Sequence, residues 1–558
     1  MLGKSLFLAA ALLAGTSLGA QAQTVTPLKN GVPYDGITYG WLLTDGSLLY
    51  QGGLLQDFYR FKPDKSGSYL NGTYYLAASL PPDYVPYATS GGVLPDGRVL
   101  LIGGEYTMTK AVTENEYHLN FTLTNKMAVY DPVKDTWTPV PPPDNFPFIG
   151  DSPWTVLADG RLMLGEKLTK KDDILDPKTL TWSETADTGK EDRNAEEGWT
   201  LLPDGSVLAI NVSDHDASPN AQRFIPNSDP SLTRWVGAGT TPQNLQATDT
   251  NGVDDIVFDH GKMVYHPPGE MGPAILRPDG TVFATGAACT VKGPKTDPDA
   301  CVVYHPVGHN AIYNPANSAS PWTAGPNFPD GEGAGDTFAA LLPNGNVLVQ
   351  PNPPGVSDPD SRANARYAMI RSGGIHPIAA AEAPQQSGCP RSEIYNMYEF
   401  DGTKLIYEPQ ATFCGEPAML LLPTGEVMLG GQYNYQSTGS YQTAWRPTIT
   451  KFTQSLFDGG NFQIWGTQFN GLSQANSYGD EFQVSTNFPL VRMTNTARGH
   501  VKYARTDNFS TMGVATGSVI VSTWFEVPTD TETGDSTLEV VANGIPSAPV
   551  SVTVGREE

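Results

Sequence analysis

Gly92-Val93-Leu94-Pro95-Asp96-Gly97-Arg98-Val99-Leu100-Leu101-Ile102-Gly103-Gly104 decides the fold. An apolar run enters an Asp-Gly turn, and a second apolar run leaves it and ends on a glycine pair. Asp-Gly between two such runs signals a β-hairpin, read here as a type I′ turn with positive φ at both central residues. The turn recurs at Asp45-Gly46, Asp96-Gly97, Asp159-Gly160, Asp204-Gly205 and Asp279-Gly280, and more softly at Asn344-Gly345 and Thr424-Gly425. The spacings, 45 to 80 residues, make each hairpin the core of a larger four-stranded unit with variable loops. Repeats of this length signal a solenoid, propeller or array, and hairpin-based ones favour a propeller, which closes on itself and protects its edges. Seven copies predict seven blades.

A second phrase marks the outer half of each unit. Tyr130-Asp131-Pro132 is followed by Trp137, Asp176-Pro177 by Trp182, Tyr313-Asn314-Pro315 by Trp322, and the looser Phe224-Ile225-Pro226 by Trp235. Proline turns the chain out of one strand and tryptophan opens the next, where it is expected to pack between blades. A tryptophan at a fixed place in a repeat implies a structural task.

Residues 1–22 read as a secretion signal: Lys4, an apolar run from Leu6 to Ala14, and a cleavage site at Ala20-Gln21-Ala22. No later stretch is long and apolar enough to span a bilayer. The reading is a secreted or periplasmic protein without a membrane span. With 58 glycines, 47 prolines, 24 tyrosines and 21 phenylalanines the composition suits strands. The net charge of −25 becomes −26 once Lys4 leaves, and a field of that sign excludes nucleic acid and anionic lipid as partners. Four cysteines allow three pairings. The expected disulfides join Cys289 to Cys301 and Cys389 to Cys414, each within one blade, as staples for an oxidising compartment.

The glycine pair, the Tyr-Asp-Pro phrase and the downstream tryptophan together resemble the kelch repeat. The form Leu-Pro-Asp-Gly-Arg-Val is most similar to the propeller of the galactose oxidase and glyoxal oxidase family of secreted copper-radical enzymes. The resemblance covers roughly residues 25 to 447, so 23–447 is expected to be the propeller. Residues 448–558 read as a separate immunoglobulin-like sandwich, with strands at 462–465, 490–493, 501–503, 518–527, 537–541 and 550–554, and a turn at Asn543-Gly544. The family also carries a sandwich after its propeller. The expected fold class is therefore all-β: a seven-bladed kelch-type propeller followed by an immunoglobulin-like sandwich.

Propellers host many activities, so function has to be argued from the site. The residue nine places before each turn glycine falls on the loop that leads into the innermost strand, at one mouth of the channel. Blade by blade this gives Ile37, Ala88, Asp151, Glu196, Met271, Asp336 and Glu416, with Glu197 and Glu270 alongside. Five blades thus offer a carboxylate to one mouth. The resembled oxidases build their copper centre on the same ring of loops. The resemblance implies a cysteine cross-linked to a tyrosine on the next blade, a Tyr-His pair entering the seventh blade, and a histidine from a sandwich loop. This chain departs at each place, with Ile37, Ala88, Gly415-Glu416 and Thr506-Asp507 there instead. Tyr87 and Cys414 are near the right loops but out of place. Copper(II) prefers imidazole and carboxylates suit hard cations, so copper is not expected.

Clustered carboxylates raise one another's pKa unless something neutralises them. One expectation is a hard-cation site, calcium for example, on Asp151, Glu196, Glu270, Asp336 and Glu416, with Asp507 joining them in ligand binding. The bland alternative is that these side chains accept backbone hydrogen bonds. The functional expectation is a binding protein for extracellular carbohydrate or a protein surface, monomeric, acting through an acidic mouth. The alternative is a carbohydrate-active enzyme: a divergent oxidase, or a hydrolase or lyase with Glu416 and Asp336 as its carboxylates and Trp154, Trp199 and Phe338 holding the sugar. Among the eight histidines only His305 and His309 have a metal-type spacing, but the Pro and Gly between them rule out a helix. The pair need not face one ion and a loop or packing role is expected, while His500 is the one expected to approach the mouth.

Overall fold

Each Asp-Gly phrase closes a hairpin, but not by the expected turn. The seven turn glycines have φ between 73° and 90°, whereas the residue before each is not left-handed. In the first, Gly46 N–H donates to Leu43 O (3.0 Å) and Leu43 N–H to Ser47 O (2.8 Å). This is a type I turn followed by one left-handed glycine, the three-residue hairpin loop. The aspartate serves a different purpose: its Oδ1 accepts the N–H two residues on, from Ser47, Arg98, Arg161, Ser206 and Thr281 in turn.

The computed structural model describes residues 23–556 apart from 34–35, 111–116, 187, 213–219, 247–254, 260–261, 267–270, 289–306, 330, 354–393, 409–412, 415–417 and 480–481. It is a seven-bladed β-propeller followed by a β-sandwich. Each blade is an antiparallel four-stranded sheet, running outward in blade 1 as Ile37–Leu42, Leu48–Gly52, Phe58–Lys62 and Thr73–Ala77. The innermost strands of blades 2 to 7 are Ser90–Val93, Trp154–Val156, Thr200–Leu201, Ala274–Leu276, Ala339–Leu341 and Met419–Leu421. They are buried throughout, as strands packed on both faces must be. Blade 7 takes its outer strand from the start of the chain, Thr24–Pro27 pairing with Tyr433–Gln436, so the ring is closed by residues from its two ends. The expected disulfide cysteines Cys289, Cys301 and Cys389 lie outside the described residues. Cys414 ends a short strand paired with Ile394–Tyr395.

The repeated tryptophans tie each of blades 2 to 5 to its predecessor. Trp137 Nε1 donates to Ala78 O, Trp182 to Pro141 O and Trp322 to Ala238 O, each at 3.0 Å, and Trp235 to Asp172 Oδ2 at 2.8 Å. The interblade role read from sequence is met, and the N–H fixes the register of the contact as well as its burial.

At the ring closure, Gln23 Nε2 donates to Glu408 Oε1 (2.7 Å). Burial, and then the charge of Glu399, lift the Glu408 carboxyl from 4.5 to about 7. A carboxyl raised on folding contributes stability that is fully present below its unfolded value and is lost as pH rises through its folded one. Stability is therefore expected to fall between pH 5 and pH 8, and Glu408→Gln should flatten that slope in urea unfolding. An unchanged slope would show that Glu408 is not its source.

The sandwich is built from Thr448–Lys451, Ser455–Phe457, Asn461–Thr467, Leu490–Asn495, Val501–Asp507, Val521–Glu526, Gly534–Ala542 and Val550–Gly555. Its core contains Ile464, Val491, Ala504, Phe525, Leu538, Val540 and Val552. Every strand expected there is present. Among the described residues no helix is long and apolar enough to cross a membrane.

The stretch between Thr467 and Leu490 leaves the sandwich and runs up the propeller channel. Asn543 anchors its base, accepting from Leu472 N–H (2.8 Å) and Ser473 N–H (3.2 Å). Farther in, Asn476–Ser477 pairs antiparallel with Ala339–Ala340 of blade 6, and Ala475 O accepts from Leu341 N–H (2.6 Å). Gln474 accepts from Leu201 N–H of blade 4 and donates to Thr155 Oγ1 of blade 3, both at 2.8 Å. Asn476 Oδ1 accepts from Leu421 N–H of blade 7 (3.0 Å). The channel is filled by a polar segment that satisfies backbone N–H groups of blades 4, 6 and 7 and a hydroxyl of blade 3 facing the axis.

Candidate functional site at the propeller mouth

The lead-in loops meet at the end of the channel opposite the Asp-Gly turns. At the position nine before the turn glycine, Ala88, Glu196 and Asp336 have φ of 48°, 59° and 45°. Left-handed backbone is uncommon for residues with a Cβ and marks a place the surroundings over-determine. In two other blades the preceding glycine, Gly36 or Gly150, supplies it instead, with φ of 75° and 61°. The same kink thus recurs around the ring.

The structure brings Asp151 and Glu196 together, and it does so around a lysine that the sequence reading did not include. Lys167, fully buried at the exit of the second strand of blade 3, places Nζ 2.5 Å from Asp151 Oδ2 and 2.5 Å from Glu196 Oε1. Glu197, beside Glu196, belongs to a second cluster. Lys190 Nζ lies 2.6 Å from Glu197 Oε1, 3.1 Å from Asp192 Oδ1 and 4.8 Å above the Trp235 ring. Trp199 Nε1 donates to Glu197 Oε2 (3.1 Å), and Val212 N–H to Asp192 Oδ2 (3.0 Å).

Burial alone would depress the Lys190 ammonium, but the charges of Asp192, Glu197 and Asp172 outweigh it and hold it above lysine's ordinary value. Burial pushes the Glu197 carboxyl well up against the pull of Lys190, with the Asp192 charge adding to the rise. Asp192 goes the other way: burial is overcome by Lys190, by a hydrogen bond from Glu197 and by the Val212 N–H. Lys190 thus meets both Glu197 and Asp192, and the buried charge is satisfied by pairing.

Asp336 lies across the mouth and is only partly buried. The tip of the channel segment reaches it: a Cβ on Gly479 would sit 2.9 Å from Asp336 Oδ1 and 2.9 Å from Met271 O. The Gly479 carbonyl is packed against Gly198, so the tip is wedged between blades 4, 5 and 6 and only glycine fits at either place. Beside it is an aromatic cluster that sequence reasoning missed. Tyr39 stacks on Tyr87 (centroids 5.9 Å apart) and meets Phe482 at 4.2 Å, while Phe338 meets Tyr478 at 4.7 Å. The nearest signal was Tyr39 and Tyr87 flanking the ring positions, but Tyr478 and Phe482 come from beyond the repeat.

Three expectations are corrected. Asp507 is not at the mouth: it ends a sandwich strand, pairs with Arg505 (2.9 Å), and its neighbour Thr506 N–H donates to Thr44 O beside the first Asp-Gly turn, at the opposite face. The count from the resembled family failed because the segment that reaches the mouth is the earlier one, around Tyr478-Gly479. His500 is also on the far side, with Nδ1 2.9 Å from Glu532 Oε1 and Val501 N–H on Lys65 O. Trp154, Trp199 and Phe338 are 1–2% exposed and offer no face to a sugar. Glu270 and Glu416 lie outside the described residues. His309, whose Nδ1 lies 3.1 Å from Asn327 Oδ1, is half-buried. Among the described residues no group of three His, Cys, Asp or Glu side chains is arranged to hold a metal ion.

No family model matches the chain, and no curated protein sequence matches it. Solved structures similar to it include a fungal alcohol oxidase of the AA5 family in complex with copper, 12% identical over 96% of this chain and 99% of that one, with a TM-score of 0.44. Virginiamycin B lyase from Staphylococcus aureus is 9% identical over 74% of this chain and 99% of its own, with a TM-score of 0.39. An ulvan lyase, a polysaccharide lyase, is 12% identical over 76% and 96%, with a TM-score of 0.35.

Proposed function

We propose that this is a secreted, galactose-oxidase-like kelch propeller that lacks the copper-radical residues and binds extracellular carbohydrate at its mouth. The observation that carries the reading is the mouth's construction. Asp151 and Glu196 are locked on Lys167, and Glu197 with Asp192 on Lys190, so these lead-in loops are held by buried ion pairs. Asp336, partly exposed on a left-handed backbone and close to the tip at Gly479, is the carboxylate we assign to the ligand. A rigid rim with a few placed polar groups and aromatic edges suits a hydroxylated ligand.

The cation expectation rests most on Asp336 with Glu270 and Glu416, because Asp151 and Glu196 already share the Lys167 ammonium. The test is a glycan array with and without millimolar calcium, run on the wild type and Asp336→Asn. The expected result is binding that drops at least tenfold in the variant while its unfolding temperature is unchanged. Equal binding by the two proteins, or no binding by either, would contradict the reading. Polysaccharide breakdown lost in Asp336→Asn with affinity retained would make the site catalytic instead.

A further inference from the structure

The chain has ten tryptophans. Six donate their indole N–H within the propeller: Trp41, Trp137, Trp182, Trp199, Trp235 and Trp322. Trp465 and Trp524 are different. They stand on the sandwich strands Asn461–Thr467 and Val521–Glu526, whose other side sends Ile464, Val521 and Phe525 into the core. Successive side chains of a strand point to opposite faces, so both indoles rise from the outer face. Trp524 is 37% exposed, and among the described residues neither indole N–H has a hydrogen-bond partner.

The register fixes what surrounds them. Gln463 lies opposite Trp524 on one side and Asp507 on the other, while Ser522 lies opposite Trp465. Diagonal neighbours of this kind are about 7–8 Å apart, close enough for two rings to form one platform. Lys451 Nζ lies 4.2 Å from the Trp465 ring centroid. Arg505 bridges Asp507 (2.9 Å) and Glu526 (3.2 Å), so the face carries two cations and two anions and no net field.

We propose that this face is a second binding platform, for a neutral polysaccharide chain, distinct from the propeller mouth. The pyranose C–H faces stack on the two indoles. Sugar hydroxyls exchange hydrogen bonds with Gln463, Ser522 and the indole N–H groups. A charge-balanced face gives a polyanion or an anionic lipid surface no electrostatic reason to settle there, and the chain's overall −25 repels both. The platform does not depend on what the mouth binds.

The test is affinity gel electrophoresis with soluble xylan, laminarin and galactomannan, and pull-down on microcrystalline cellulose and chitin, using the whole protein. The wild type should be retained by at least one of these. Trp465→Ala and Trp524→Ala should each weaken retention about tenfold, the size of one aromatic contact, and Trp524→Tyr should keep most of it. Unfolding temperatures accompany every variant; if the alanine variants melt early, the half-buried Gln463→Ala supplies the reading and should also weaken retention. The proposal is overturned if none of the five polysaccharides retains the wild type, or if the double alanine variant is retained as well as wild type. It is equally overturned if retention falls with Asp336→Asn instead, which assigns it to the mouth. Binding to phosphatidylglycerol vesicles, or self-association in sedimentation, that the tryptophan variants abolish would give the face to lipid or to a second copy, and would also overturn it.

Discussion

A Lys167→Met variant is expected to lose about 3–5 kcal/mol of stability at neutral pH, the cost of leaving buried charge without its partner. Methionine keeps the length of the stem, so the change removes the ammonium more than the packing. Two contacts of 2.5 Å on one nitrogen put the Asp151 and Glu196 oxygens within about 5 Å of each other. Without Lys167 those carboxylates face each other in a site 4–5% exposed, where both cannot stay ionised. In the variant their folded pKa values rise above the unfolded ones, so the deficit is largest above neutrality and shrinks as pH falls toward the ordinary carboxylate range, about 4. Urea unfolding at pH 7.5 and pH 5 measures both the size and the slope. A deficit under about 1 kcal/mol, the scale of a surface pair, would mean that the triad does not hold the loops.

Ending the chain after Pro447 is expected to abolish folding of the propeller. The loss includes the segment in the channel as well as the sandwich. Leu201, Leu341 and Leu421 N–H groups would each lose an acceptor inside the ring, at about 1–3 kcal/mol apiece. Tyr39, Trp41 and Phe338 would lose the Phe482 ring that meets all three. Together these losses approach the whole stability of an ordinary domain, about 5–15 kcal/mol. Residues 23–447 alone should give weak near-ultraviolet circular dichroism and no cooperative melting. Gln474→Ala in the full chain is the milder form of the same experiment and should cost about 2–4 kcal/mol, since Leu201 N–H and Thr155 Oγ1 both lose their partner. A sharp transition from the truncated chain would show that the plug is dispensable.

The blades were legible because the repeat states its signal seven times in the left-handed glycine and the apolar runs beside it, and four times in the downstream tryptophan. What failed was the turn type, since aspartate and glycine together suit two geometries and only the backbone distinguishes them. The outer strand Thr24–Pro27 was illegible for the opposite reason: it occurs once, and its partner is some 400 residues away. At the mouth, counting back from the turn found Asp151, Glu196 and Asp336 but not what neutralises the first two. Lys167 leaves a strand end with nothing local to mark it, and its partner Glu196 is 29 residues farther on. Asp507 and His500 were placed by counting along a resembled order of elements. The sandwich instead sends a different segment, ending at Tyr478-Gly479, up the channel.

The central claim is that the acidic ring is locked by buried lysines in blades 3 and 4 rather than open to a cation. A double-mutant cycle of Lys167→Met with Glu196→Gln in urea unfolding tests it most directly. The account predicts a coupling of about 2 kcal/mol or more, with Glu196→Gln partly rescuing Lys167→Met. Additivity within about 0.5 kcal/mol would contradict it, and would return Asp151 and Glu196 to the pool of groups free to bind a ligand.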